Sequence, residues 1–262
     1  MLQDLYAGSV ADAAARRLLV PVEQLESLIS KLDQPLDAFN VLRGGSTVNV
    51  IAEIKRASPS KGFLAEIPSA AEFAVRYEKA GAAAISVLTE QRKFLGSLDD
   101  LAEVTRDVAV PVLRKDFIAN EYQILEARAH GADIILLIVA GLNQPQLEHL
   151  FKFATSLGMS VLVETHSKEE VSRANDIGAQ IIGINARNLS TFDTDLGLFG
   201  DLVGGLASDV LAVAESAVRD RSDVETYAAA GASCVLVGEA LVTGDAEALL
   251  GEFITVPKAR IV

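Results

Sequence analysis

Ionisable residues gather at the ends of apolar runs in this sequence. Glu53 and Lys55 lie two apart where the run from Val48 finishes, so in extended chain they project to the same side. A second run ends Leu113-Arg114-Lys115-Asp116-Phe117, and a third ends at Glu164. Further runs end at Asn185, with Arg187 beyond, at Glu215-Ser216, and at Val237-Gly238-Glu239. A charge carried on an apolar strand is costly to bury unless it is paired. One such residue reads as a structural ion pair. Several at the same end of successive strands read as a site for acid–base chemistry.

The elements that must position these residues show in a repeat. Gly-Ala followed by an apolar run recurs at Gly81, Gly131, Gly178 and Gly231, at intervals of about 50 residues. Shorter apolar stretches beginning at Val48, Val110, Ser160 and Val210 fall between them. Eight strands are therefore expected, and the intervals leave room for one helix and two short loops each. Continuous apolar runs such as Ile134 to Ile138 imply burial on both faces, hence a parallel sheet covered by helices. Eight βα units fit an α/β fold of the closed (β/α)8 TIM-barrel type, and no G-x-G-x-x-G follows the first strand to favour an open sheet. The expected organisation is one domain overall, with residues 48–262 as barrel and 1–47 as an N-terminal helical extension. Val22, Leu25, Leu28 and Ile29 carry helical spacing there. That extension reads equally as a plug under the barrel or as a segment folded over its top.

Composition narrows the function. A net charge of −13 opposes nucleic acid and anionic membrane as general partners. No run of roughly 18 apolar residues is present to span a bilayer, and the first residues lack the pattern of a secretory leader. A single cysteine, Cys234, inside an apolar run fits core packing and a reducing cytoplasm. His130, His149 and His166 are isolated, without metal-ligand spacing, and are expected at the surface or at helix ends. No metal or cofactor is expected. In a (β/α)8 barrel, catalytic groups sit at the C-terminal ends of the strands, and the loops after the last two strands bind phosphate. Ser216-Ala217 and Gly238-Glu239 occupy those positions.

The same strand ends carry a family resemblance. Ala52-Glu53-Ile54-Lys55-Arg56-Ala57-Ser58-Pro59-Ser60-Lys61-Gly62 resembles the signature of indole-3-glycerol phosphate synthases. Ser86 to Glu90 with Phe94 to Ser97, Val112 to Phe117, Leu136 to Ile138, Leu162-Val163-Glu164, Gly183 to Leu189, Ala214-Glu215-Ser216 and Leu236 to Glu239 extend it to every strand. The resemblance implies cofactor-free ring closure of 1-(2-carboxyphenylamino)-1-deoxyribulose 5-phosphate to indole-3-glycerol phosphate, with loss of carbon dioxide and water, in tryptophan biosynthesis. It implies Lys115 as general acid and Glu164 as the second acid/base, with Glu53, Lys55 and Asn185 completing the catalytic set. Glu53 is expected to tune Lys115 or Lys55 by an ion pair, and Lys55 to meet the substrate's carboxylate or phosphate.

Ser58, Glu215 and Ser216 are expected to contact the substrate, and Arg187 either to meet an anion or to brace Glu164 or Glu215. Lys61 reads equally as a solvated lysine or a ligand. Phe94, Phe117, Leu136 and Leu189 are expected to form the slot for the aromatic ring. The phosphate is assigned to Lys55, Ala217, Gly238 and Glu239. Partners are then a small phosphosugar-anthranilate substrate and no nucleic acid or membrane, with a monomer expected and contact with other pathway enzymes open.

One departure stands out: Ala217 occupies a place where the family usually has glycine, which is expected to weaken phosphate binding unless the loop accepts negative φ. Competing readings are a non-catalytic phosphosugar-binding barrel and another phosphate-binding barrel enzyme, such as phosphoribosylanthranilate isomerase. The absence of a cysteine on the first strand argues against the isomerase.

Overall fold

The structure, a computed structural model, describes residues 1–188 and 193–259. Eight parallel strands close into a barrel: β1 (Asn49–Ile54), β2 (Ala84–Leu88), β3 (Val112–Lys115), β4 (Ile134–Ile138), β5 (Ser160–Thr165), β6 (Ile181–Asn185), β7 (Leu211–Glu215) and β8 (Cys234–Val237). Each strand pairs with its sequence neighbours, and β8 closes the ring on β1 through Asn49 opposite Cys234. Apart from partly exposed residues at some strand ends, the strands are buried, as two-sided covering requires. The expected (β/α)8 TIM barrel is the observed fold.

The Gly-Ala repeat has a local cause. The helices preceding Gly81, Gly131, Gly178 and Gly231 all end with that glycine at positive φ, between 73° and 107°. In each, the glycine N–H and the following alanine N–H return to the last turn, as Gly81 to Glu78 O and Ala82 to Tyr77 O show. This closure satisfies otherwise orphaned helix carbonyls and aims the chain into the next strand. At the opposite ends, Ser69, Ser97, Asn120, Asn143, Ser167 and Asp220 cap the helices that follow β1 to β5 and β7.

The N-terminal segment serves both ends of the barrel. Helix α1 (Leu2–Leu19) crosses the C-terminal mouth, where the Tyr6 hydroxyl donates to Ile138 O and its ring meets Phe117 edge-on at 5.7 Å. Helix α2 (Val22–Ile29) packs on the helix Glu121–Ala129, and α3 (Ala38–Arg43) covers the N-terminal end. There Asn49 Nδ2 donates to Leu42 O at 2.7 Å and Cys234 Sγ contacts the same carbonyl. The two readings of the extension thus apply to different helices of it. Among the described residues, no helix is long and apolar enough to cross a membrane.

Candidate active site

A cavity of about 920 Å³ opens at the C-terminal ends of the strands. Its lining includes Glu53, Lys55, Ser58, Phe94, Lys115, Phe117, Leu136, Glu164, Asn185, Arg187, Glu215, Ser216, Ala217, Gly238 and Glu239. The residues expected to act on or bind the substrate therefore lie in one place, except Leu189, which lies outside the described residues.

Lys115 is the centre. Its Nζ donates to Glu215 Oε2 at 2.5 Å and to Glu164 Oε2 at 3.2 Å. Glu164 and Glu215 are almost fully buried. Burial disfavours the ammonium ion, but Glu215, Glu164 and Glu53 together raise the Lys115 pKa well above its ordinary value. The two carboxyls share this cation unequally. Burial and the neighbouring Glu164 charge push Glu215 up to about 8, whereas Lys115 holds Glu164 low against its own burial. The arrangement keeps a charged lysine beside an ionised carboxylate across the neutral range.

Lys115 is fixed from behind. Its neighbours Arg114 and Asp116 project to the other side of β3, as alternation demands. Arg114, fully buried, bonds Thr89, Gln123 O and Asp116. Asp116 in turn accepts from Thr89 and from Ser9 of α1 at 2.9 Å. Burial opposes the Asp116 charge, yet Arg114 and Thr89 bring its pKa below the ordinary value. Lys115 therefore forms its ion pairs with Glu164 and Glu215 and not with Glu53.

Glu53 instead pairs with Lys55 at 2.8 Å, within β1 and the residue just beyond it. The loop that follows is held by Arg56, whose guanidinium forks onto Asp100 at 2.7 and 2.8 Å and donates to Ile67 O. Lys61 forms an ion pair with Glu239. Two glycines make room for the carboxylates: a Cβ on Gly183 would lie 1.9 Å from Glu215 Oε1, and one on Gly238 would lie 2.4 Å from Glu53 Oε1.

Beyond β7 the chain turns sharply, with Ser216 at φ 70° and Ala217 at φ 63°. The Ser216 hydroxyl donates to Asn185 Oδ1 at 2.8 Å, and the Tyr227 hydroxyl donates to Ser216 O at 3.2 Å. Ala217 thus keeps the left-handed conformation in which glycine is favoured; the loop does not relax to negative φ. Arg187 pairs with neither Glu164 nor Glu215 and reaches Ser60 Oγ at 3.4 Å. On the apolar wall, the Phe94 and Phe117 rings stand 6.1 Å apart beside Leu136.

Two residues escape the sequence reading. Gly183 carries the signal of a glycine inside a strand, which marks a close approach. His166 is the other. His149 is exposed and His130 closes a helix, as expected. His166, however, is largely buried, with Nε2 3.4 Å from Glu164 Oε1. It stands at a helix end, as expected, directly before the Ser167 cap, but it faces inward: two positions after Glu164, it turns to the same side and meets that carboxylate. No group of three or more residues suited to hold a metal occurs among the described residues.

Fold and site define a (β/α)8 barrel with a buried lysine–dicarboxylate centre at its C-terminal mouth and a small-molecule cavity above it. Comparison with known proteins gives the family. The family model for indole-3-glycerol phosphate synthase matches residues 2–252. An indole-3-glycerol phosphate synthase of Leifsonia xyli subsp. xyli is 54% identical over 253 residues, covering 97% of each chain. One from Micrococcus luteus is 51% identical over 246 residues, covering 92% of each. The chain belongs to the indole-3-glycerol phosphate synthase family. Among solved structures, N-acetylmannosamine-6-phosphate 2-epimerase from Clostridium perfringens superimposes with a TM-score of 0.63 at 15% identity, over 82% of this chain and 94% of that one. That likeness is one of fold.

Proposed function

We propose that this chain carries out its family's reaction, closing 1-(2-carboxyphenylamino)-1-deoxyribulose 5-phosphate to indole-3-glycerol phosphate with loss of carbon dioxide and water, in tryptophan biosynthesis. The observation that carries the reading is Lys115 held between Glu164 and Glu215 at the floor of the cavity. In this reading the anilino ring rests against Phe94, Phe117 and Leu136, and Lys55 faces the substrate's carboxylate. The phosphate reaches the Ser216–Ala217 turn and the Gly238–Glu239 step, where backbone N–H groups are offered.

Ring closure builds negative charge on the ribulose carbonyl oxygen as the aromatic carbon attacks. A lysine kept protonated beside ionised Glu164 supplies the proton there, and its positive charge stabilises the developing alkoxide. Loss of carbon dioxide restores the aromatic ring. Glu164, held ionised, then takes the proton whose removal accompanies departure of the hydroxyl group as water. Glu215 positions Lys115, and Asn185 with Ser216 orients the sugar hydroxyls. A module that only binds phosphosugar has no use for such an acid–base cluster. The working state in this reading is a cytoplasmic monomer acting on a small anion, with the −13 net charge set against nucleic acid.

Purified protein given this substrate is expected to develop indole fluorescence with equimolar release of carbon dioxide. Binding of substrate with neither signal would contradict the proposal and favour the non-catalytic barrel.

A further inference from the structure

His166 is a largely buried imidazole that the proposed reaction leaves unused. Its environment is built by the residues that start the next helix. Ser167 caps the helix Lys168–Asp176, its hydroxyl accepting from the Glu170 N–H at 3.2 Å. Glu170 turns back, and its Oε2 accepts the His166 backbone N–H at 2.8 Å and faces the ring Nδ1 at 3.3 Å. The cap therefore fixes the imidazole and leaves its other nitrogen aimed at the catalytic carboxylate. Nε2 is buried, 3.4 Å from Glu164 Oε1, and makes no directed hydrogen bond among the described residues.

Three carboxyls act on the ring, Glu164 on β5, Glu170 in the helix that follows and Glu215 on β7, with the Lys115 ammonium beyond them on Glu164 Oε2 and Glu215 Oε2. Burial works against an imidazolium ion, but these three carboxyls raise the His166 pKa above its ordinary value. Lys115 holds Oε2 of Glu164, and His166 stands at Oε1.

We propose that His166 is a positioning residue for Glu164: a second cation, set by the Ser167–Glu170 cap, that holds the catalytic carboxylate ionised and fixes its orientation. This rests on the proposed function for its role in turnover, while its geometry is testable without turnover. A neighbouring positive charge moves a carboxyl pKa by about one to three units, so the effect is measurable.

The first arm follows the imidazole signals by NMR across pH, which is tractable with three histidines in the chain. His166 is expected to titrate above the usual 6.5 and to fall by about one pH unit in Glu164→Gln. A titration that does not move in Glu164→Gln overturns the inference, whether or not the protein turns over substrate.

The second arm uses kinetics. In His166→Gln, the acid-side pH of half-maximal kcat is expected to rise by about one unit with KM within about twofold. Glu170→Gln should move the same limb in the same direction by less, and serves if His166→Gln does not fold. An acid limb that stays in place in both variants overturns the positioning role. An inactive wild type would contradict the proposed function, and the NMR arm would still decide the His166 contact.

Discussion

The two ends of the barrel use the same N-terminal segment to opposite purposes. At the bottom, α3 closes the barrel with apolar packing and backbone contacts around Leu42, Asn49 and Cys234. Burial pushes the Cys234 thiol up to about 12, so it is an inert core group. At the mouth, α1 meets a charged layer, through Ser9 to Asp116 and Tyr6 to Phe117. The bottom is stabilised by filling space. The mouth brings together like charges, a shared cation and consecutive residues at positive φ, features that cost stability and that serve a site.

The sharpest way to break this contrast is to damage the bottom and look for an effect at the mouth. Leu42→Ala opens a cavity in a fully buried place and is expected to lower stability by about 2–5 kcal/mol, measured by urea denaturation. Its kcat should stay within about twofold at a temperature where the variant remains folded. A large loss of kcat would show that the two ends are not separable.

The reverse test alters the mouth. Gly183→Ala places a methyl group where Glu215 Oε1 sits, displacing the carboxylate from Lys115. We expect kcat to fall roughly tenfold, about 1.4 kcal/mol in the barrier, in a protein that still folds. Unchanged kcat would mean that Glu215 is not needed at its observed position.

The smallest effect sharpens the contrast at one residue. Ala217 at φ 63° bears the cost of a side chain in the left-handed region, so Ala217→Gly should stabilise the protein by about 1 kcal/mol in thermal unfolding. The same change is expected to lower KM if the alanine methyl keeps the phosphate from the backbone. An unchanged KM would leave the strain without a functional consequence.

The barrel was legible because its signals are local. Gly-Ala closes four helices within a few residues, and the apolar strands announce burial on both faces. The site was legible for a related reason: in a closed parallel barrel, residues at strand ends converge whatever the loops do. The position of α1 was not legible, because the contacts of Tyr6 and Ser9 bridge more than a hundred residues. The Glu53–Lys55 pair was one of the two expected, but Lys115's own partners were not legible for want of cross-barrel geometry, since Glu164 and Glu215 come from strands not adjacent to β3. His166 did leave a trace, as Ser167-Lys168-Glu169-Glu170 is a capping-box pattern immediately after it. That pattern fixes a helix start without saying which way the preceding ring faces.

The central claim is that Lys115, charged and shared between two carboxyls, is the acid of ring closure. It is tested most directly by Lys115→Met, with substrate binding and indole fluorescence measured on the same sample. The account predicts that binding persists while turnover falls roughly a thousandfold or more. Turnover within tenfold of wild type in Lys115→Met would contradict it.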